Sequence, residues 1–325
     1  MPKVHRLARR ILSEVGHYVR PGVEPRSSVR LAWRREAFFR LAAGFTPTLE
    51  AVWPSGRFFV STSDTVVSLA TFVSGPFELE ENVRTCEMIR DVLGVGFDLT
   101  QGEVLEAGAN IGTGTLTFIT ALGAQRVHAF EPAPDNMRLL RQTVAANGLE
   151  DRVVTSQVAL SNALGSVAFE LSPQAWGDHR VRVEGQRGAD EFGESLREVI
   201  EIPAVTIDSL VADGTIDLGK IQVAWIDIQG HEGALLEGAR ALLETDIPVV
   251  VEFWPYGLKR ANGLDKFLAL VQDHYSHVLN MHDAQLATNG QSTKQLLQPT
   301  SALATISERY PGRNDLTNLA LLSLD

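Results

Sequence analysis

Along residues 103–324 the apolar positions alternate between short continuous runs and helical spacing. Val104–Leu105, Val127–Phe130, Val153–Leu160, Ile221–Ile226, Ile247–Phe253, His277–Met281 and Leu316–Leu324 read as strands, being short and rich in β-branched residues. Thr113–Leu122, Asp135–Asn147, His231–Leu243 and Phe267–Tyr275 lie between them and read as helices. Such alternation predicts an α/β fold built on a doubly wound parallel sheet. Val167–Leu171, Arg180–Val183 and Val199–Val205 add β character around a Gly- and acid-rich stretch, Glu184–Glu194, expected to be a mobile loop. Upstream, Val29–Leu41 reads as a helix capped by Ser27 or Ser28, and Ala51–Ser61 as a hairpin turned at Pro54, Ser55 and Gly56. Asp64–Phe77 is apolar with small polar interruptions, and either lines a pocket or extends the sheet. Leu79–Leu93 has helical spacing.

Composition narrows the class. The 325 residues are 44% hydrophobic and 21% charged, ordinary for a globular protein, and suffice for one large domain, 64–325, behind an N-terminal helical and hairpin extension, 1–63. No apolar run reaches the ~20 residues of a membrane span. The single cysteine, Cys86, excludes a disulfide framework within the chain and any multi-cysteine metal site; on its apolar stripe it reads as a small buried hydrophobe, and a cytoplasmic location is expected. The net charge of −11 argues against nucleic acid as a partner. That charge is uneven, since residues 1–40 hold ten Lys or Arg against three acids. Val4, Leu7, Ile11, Leu12, Val15 and Val19 recur at helical spacing opposite Arg6, Arg9 and Arg10, so the basic arm reads as an amphipathic helix covering the body or forming a homodimer contact.

Candidate chemistry concentrates at the carboxyl ends of the expected strands, where ligands bind in such sheets. The first strand runs into Glu106-Ala-Gly108-Ala-Asn110-Ile-Gly112, a glycine turn leading to a helix N-terminus. A dinucleotide fingerprint needs a second glycine where this chain has Asn110, and Glu106 repels a phosphate while suiting a cation. Glu131, ~20 residues further on at the end of the second strand, is placed to accept the hydroxyls of an adenosine ribose. A positively charged adenosine cofactor without phosphates is S-adenosylmethionine.

The stretches LEAGANIGTGT, AFEPAPDN, VALSNALG, TIDSL and WIDIQGHEGALLEGA, with DTVVSLATFVSGPFELEE before them, together resemble the FkbM family of S-adenosylmethionine-dependent methyltransferases, from about Asp64 to the C-terminus. The resemblance implies a Rossmann-like class I methyltransferase sheet, mostly parallel with an antiparallel last strand. It implies that Glu106, Gly108, Asn110 and Gly112 hold the methionine end of the cofactor, Glu131 the ribose, and Leu160, Ser161 and Asn162 the adenine. It further implies methylation of oxygen on a small hydroxylated acceptor, a sugar or a secondary metabolite. Where the family's fourth-strand motif commonly has Glu, this chain has Gln229, between the retained Asp227, Gly230 and Glu232.

Oxygen methylation needs a group to take the acceptor proton. The catalytic candidates are Asp227 at the end of the fourth strand, which faces the cofactor and positions its amino group or the acceptor, His231 at the next helix start, where the cationic form is disfavoured, and Glu252 at the end of the fifth strand, an acceptor contact or second base. No ligand spacing of the His-x-x-x-His or Cys-x-x-Cys kind is present, so catalysis without a metal is expected. Two other classes stay open: a partner-binding protein that keeps the fold without turnover, and a nicotinamide-dependent oxidoreductase, against which Asn110 argues.

Overall fold

The computed structural model describes residues 29–183, 193–281, 298, 299, 310 and 315–324. The basic arm, the serines expected to cap the Val29–Leu41 helix, and residues 184–192 of the acid-rich stretch lie outside these. Helix α1 (Val29–Ala42) leads into the hairpin β1 (Thr48–Trp53) and β2 (Gly56–Ser61), closed by Pro54 and Ser55 with Trp53 opposite Gly56. Helices α2 (Val67–Ser74) and α3 (Leu79–Leu93) follow, so the pre-core segment is helical and does not extend the sheet.

The alternating part then builds a sheet from β3 (Glu103–Ala107), β4 (Arg126–Phe130), β5 (Val153–Ser156), β10 (Ile221–Ile226), β11 (Val249–Phe253), β12 (His277–Asn280) and β13 (Thr317–Leu322). Its order is β12-β13-β11-β10-β3-β4-β5, seven strands, with β13 antiparallel to both neighbours and the pairs from β11 to β5 parallel. Helices cover both faces, which is why Val104, Leu105, Val223, Ala224, Val249, Val250 and Val251 are fully buried in unbroken apolar runs. This is the Rossmann-like arrangement expected, including the antiparallel last strand. A smaller sheet, ordered β6-β9-β7-β8, is formed by β6 (Ala159–Leu160), β7 (Gly165–Leu171), β8 (Arg180–Val181) and β9 (Glu198–Val205).

Three elements depart from the sequence expectation. The run Val153–Leu160 is not one strand: it leaves the main sheet after Ser156 and rejoins the small sheet at Ala159, pairing with β9. The helix expected over Thr113–Leu122 is one α-turn, α4 (Thr113–Leu116), continued as a π-helix over Thr117–Ala121. The helix expected over His231–Leu243 divides into α7 (Glu232–Glu237) and α8 (Arg240–Leu243), α6 being Ile207–Ala212. Gly238 marks the division, packed so closely on the chain after β6 that a Cβ there would lie 2.2 Å from the Ser161 carbonyl. Two further helices, α9 (Pro255–Arg260) and α10 (Leu264–His274), follow β11, the first of them unread in the sequence.

The hairpin is tied to α5 (Pro134–Ala146) through Asn147, whose Oδ1 accepts from Arg57 N at 3.0 Å and whose Nδ2 donates to Arg57 O at 2.7 Å. Phe58 and Val60 join Val104 and Val127 in one apolar cluster. Cys86 is buried there too, and burial pushes its thiol up to about 12, so it packs as a hydrophobe. No helix among the described residues is long and apolar enough to cross a membrane.

Candidate active site

Strand ends, the pre-core helices and the 175–179 turn of the small sheet enclose a cavity of about 410 Å³. Glu106, Gly108, Asn110, Glu131, Leu160, Asp227, His231 and Glu252 line it, as does Asn136 from α5. Gly112, Ser161 and Asn162 do not appear on its wall. Gly108 is obligatory: φ is +88°, and a Cβ would stand 1.8 Å from the Asp227 carbonyl oxygen, so the ends of β3 and β10 meet only because no side chain intervenes.

Glu131 is held by two amides, its Oε2 accepting from Asn110 N and its Oε1 from Ala133 N, both at 2.8 Å. The Asn136 side chain adds a further hydrogen bond to this carboxyl. Glu106 accepts the Thr115 hydroxyl at 2.5 Å. Both acids are buried, and burial pushes each up to about 7.

At the other end the Gln229 amide nitrogen donates to Asp227 Oδ1 and to Glu252 Oε2, 2.8 Å each. Burial raises both acids, and the charge of Asp227 beside it raises Glu252 as well. Gln229 thus does what a glutamate there does not, donating one N–H to each of two carboxyl groups. Behind this loop Glu232 accepts from Ile228 N and Gly230 N, both at 3.1 Å, and fixes the turn between Asp227 and α7.

His231 is neutral at pH 7, pushed down to about 4 by burial. Its Nε2 lies 2.9 Å from Ser161 Oγ, Ser161 Oγ donates to Asn162 Oδ1 at 3.4 Å, and Asn162 Nδ2 donates to Glu237 Oε2 at 2.6 Å. Ser161 thus contacts His231, and Asn162 bridges Ser161 to Glu237.

Several wall residues escaped the sequence reading. Glu78, at the start of α3, lines the cavity in left-handed backbone, φ +59°, with its side chain exposed to solvent. Asn82 follows one turn later. Trp176 and His179 come from the turn between β7 and β8, which Asp64 ties to α2 by accepting from Val66 N, Ser68 N and Trp176 N at 3.0, 2.7 and 3.2 Å. The acidic start of α3 after Gly75-Pro76 was the available signal for Glu78; the Trp176–His179 turn gave none. Of the four non-glycine residues with positive φ among those described, Glu78, Asn110 and Gln229 line the cavity. Strained backbone concentrates where ligands are handled.

The lining includes Glu78, Glu106, Glu131, Asp178, Asp227 and Glu252 and, among the described residues, no Lys or Arg. Asp178 is itself neutralised by Arg180 and Arg197. Among the described residues no three His, Cys, Asp or Glu side chains are grouped to hold a metal ion.

Residues 106–308 match the methyltransferase FkbM domain. A hexuronic acid methyltransferase of Haloferax volcanii, AglP, is 32% identical over 149 residues, 45% of this chain and 54% of that protein. Methyltransferase sdnD of Sordaria araneosa is 28% identical over 176 residues, 48% of this chain and 68% of that one. The alignment thus spans about half the length of the first of these relatives. Among solved structures, TYW2 of P. horikoshii in complex with MeSAdo aligns with a TM-score of 0.40 at 12% identity, covering 93% of this chain and 84% of that one. An O-methyltransferase from Bacillus cereus in complex with SAH aligns at 0.38 and 13%, covering 81% and 99%.

Proposed function

The chain belongs to the FkbM methyltransferase family, and from that premise we propose that it methylates a hydroxyl oxygen of a sugar or natural-product acceptor with S-adenosylmethionine. The observation that carries this reading is the charge of the cavity: carboxyl groups at the ends of β3, β4, β10 and β11 without a lysine or arginine among the described lining residues. Such a wall rejects pyrophosphate and takes a cation, which supports S-adenosylmethionine over a nicotinamide dinucleotide.

The residues present fit that group. Glu131, anchored by two amides, presents carboxylate oxygens to ribose hydroxyls. Glu106 and Asp227 answer the ammonium, Gly108 and Asn110 give the backbone its close approach, and Leu160 covers the base. When bound there, S-adenosylmethionine supplies an electrophilic methyl group on a sulfonium. His231 takes the proton of the acceptor hydroxyl, with Ser161 holding the ring. Asp227 and Glu252, bridged by Gln229, orient the acceptor.

Calorimetry tests the cofactor assignment. S-adenosylmethionine and S-adenosylhomocysteine should bind saturably, and Glu131→Ala should weaken both at least tenfold; absent binding, or binding unchanged by the substitution, rejects it. Incubation with methyl-labelled cofactor and a panel of glycosides, read by mass, identifies the acceptor.

A further inference from the structure

The side-chain oxygen of Asn82 is buried without a hydrogen-bond donor among the described residues. Asn82 is 3% exposed and stands on the cavity wall from α3, a helix outside the strand-end motifs. The space that a Cβ on Gly114 would take lies 2.5 Å from Glu106 Oε1 and 3.6 Å from Asn82 Nδ2, so the missing side chain leaves a small cradle edged by that carboxyl and that amide. The other carboxyl oxygen of Glu106 is occupied by Thr115. Asn136 also has an unpartnered buried oxygen, but its amide already donates to the Trp176 carbonyl at 3.4 Å.

A buried carbonyl oxygen without a donor is costly, and an apolar residue of similar size would remove that cost. The chain keeps this unpartnered oxygen on a side chain of the cavity wall whose amide nitrogen edges the same gap as the Glu106 carboxyl. What satisfies both is a cationic N–H donor arriving with a ligand. We propose that Asn82 is a further cofactor-binding residue, its Oδ1 accepting an N–H of the amino-acid ammonium of S-adenosylmethionine beside Glu106. This rests on the cofactor reading above. It makes α3, and not the sheet alone, part of the amino-acid subsite.

Two ligands separate the possibilities: S-adenosylhomocysteine, which carries the ammonium, and 5′-methylthioadenosine, which keeps the nucleoside and lacks it. Titrating both into the wild-type protein and Asn82→Leu should give about a tenfold loss for S-adenosylhomocysteine and little change for 5′-methylthioadenosine. The ligand-free melting temperature of the variant should be equal to or above that of the wild type, because an unsatisfied polar atom has been removed. If Asn82→Leu fails to fold, Asn82→Ala carries the test with the same split between ligands. Unchanged S-adenosylhomocysteine affinity overturns the role of Asn82 while leaving the cofactor reading standing. Equal loss for both ligands with a lowered melting temperature shows a scaffold residue and overturns it as well. A wild type that binds neither ligand rejects the cofactor reading and this inference with it.

Discussion

Glu106 and Glu131 show what burial does to a residue. Both are pushed up to about 7, so near neutrality each is partly protonated in the ligand-free protein. A ligand ammonium favours the ionised form of Glu106, so binding releases a proton and affinity rises with pH until the carboxyl is ionised beforehand. Affinity for S-adenosylhomocysteine should therefore climb between about pH 6 and pH 8, and Glu106→Gln should lower it and flatten the slope; a flat wild-type profile by calorimetry refutes this. Gln229 is the second case. Its amide separates Asp227 from Glu252, and Gln229→Glu puts a third acid between them. That variant should need a higher pH for half-maximal methyl transfer, measurable as an alkaline shift of the kcat profile.

Elements are held by side chains remote from the chemistry. The loop between β10 and α7 carries Asp227 and Gln229 on a turn whose amides at Ile228 and Gly230 end on Glu232. Glu232→Ala strands two N–H groups, which should cost about 2–4 kcal/mol in denaturant melts and weaken cofactor binding as the loop loosens. The small sheet is fastened by an ion network. Arg180, 2% exposed, bonds Glu170, Asp178 and Glu194 at 2.8, 3.0 and 2.8 Å, and Arg260 of α9 reaches Glu170 and Glu194 at 3.2 and 2.9 Å. Removing one member of a buried network leaves uncompensated charge, so Arg180→Ala should cost about 3–5 kcal/mol in the same measurement.

For the whole molecule, the cost of the acidic cavity appears as a pH dependence of stability. Glu106, Glu131 and Glu232 are pushed to about 7 from unfolded values near 4.3. The folded state therefore binds more protons than the unfolded one between those values, and stability falls as pH rises from about 4 through 7. His179 and His231, held down to about 4, act in the opposite sense, but only below about pH 6.5, where the unfolded chain protonates first. The ligand-free protein should melt higher at pH 6.5 than at pH 8.5, and saturating S-adenosylmethionine should reduce the difference by supplying the missing cation. A higher melting temperature at pH 8.5 without ligand contradicts this account.

Alternation of strand and helix, the antiparallel last strand implied by the family resemblance and the acids at the strand ends were legible in the chain because they are local. A parallel strand buried on both faces leaves an unbroken apolar run, and a glycine turn is written in consecutive residues. Glu106, Glu131, Asp227 and Glu252 could be chosen from strand ends alone, since in this topology those ends meet. Which neighbours share the cavity was not local. Val153–Leu160 reads as one strand, yet its two halves pair in different sheets. Ser161 and Asn162 sit at a strand end like the others, yet Ser161 Oγ meets His231 and the Asn162 amide meets Glu237, neighbours that lie some seventy residues away in the chain. Glu78 and Asn82 belong to a helix folded back from before the first strand, and only its packing brings them beside Asp227 and Glu106. The protonation of the acids follows from burial, which depends on every wall at once, and so belongs to the tertiary structure.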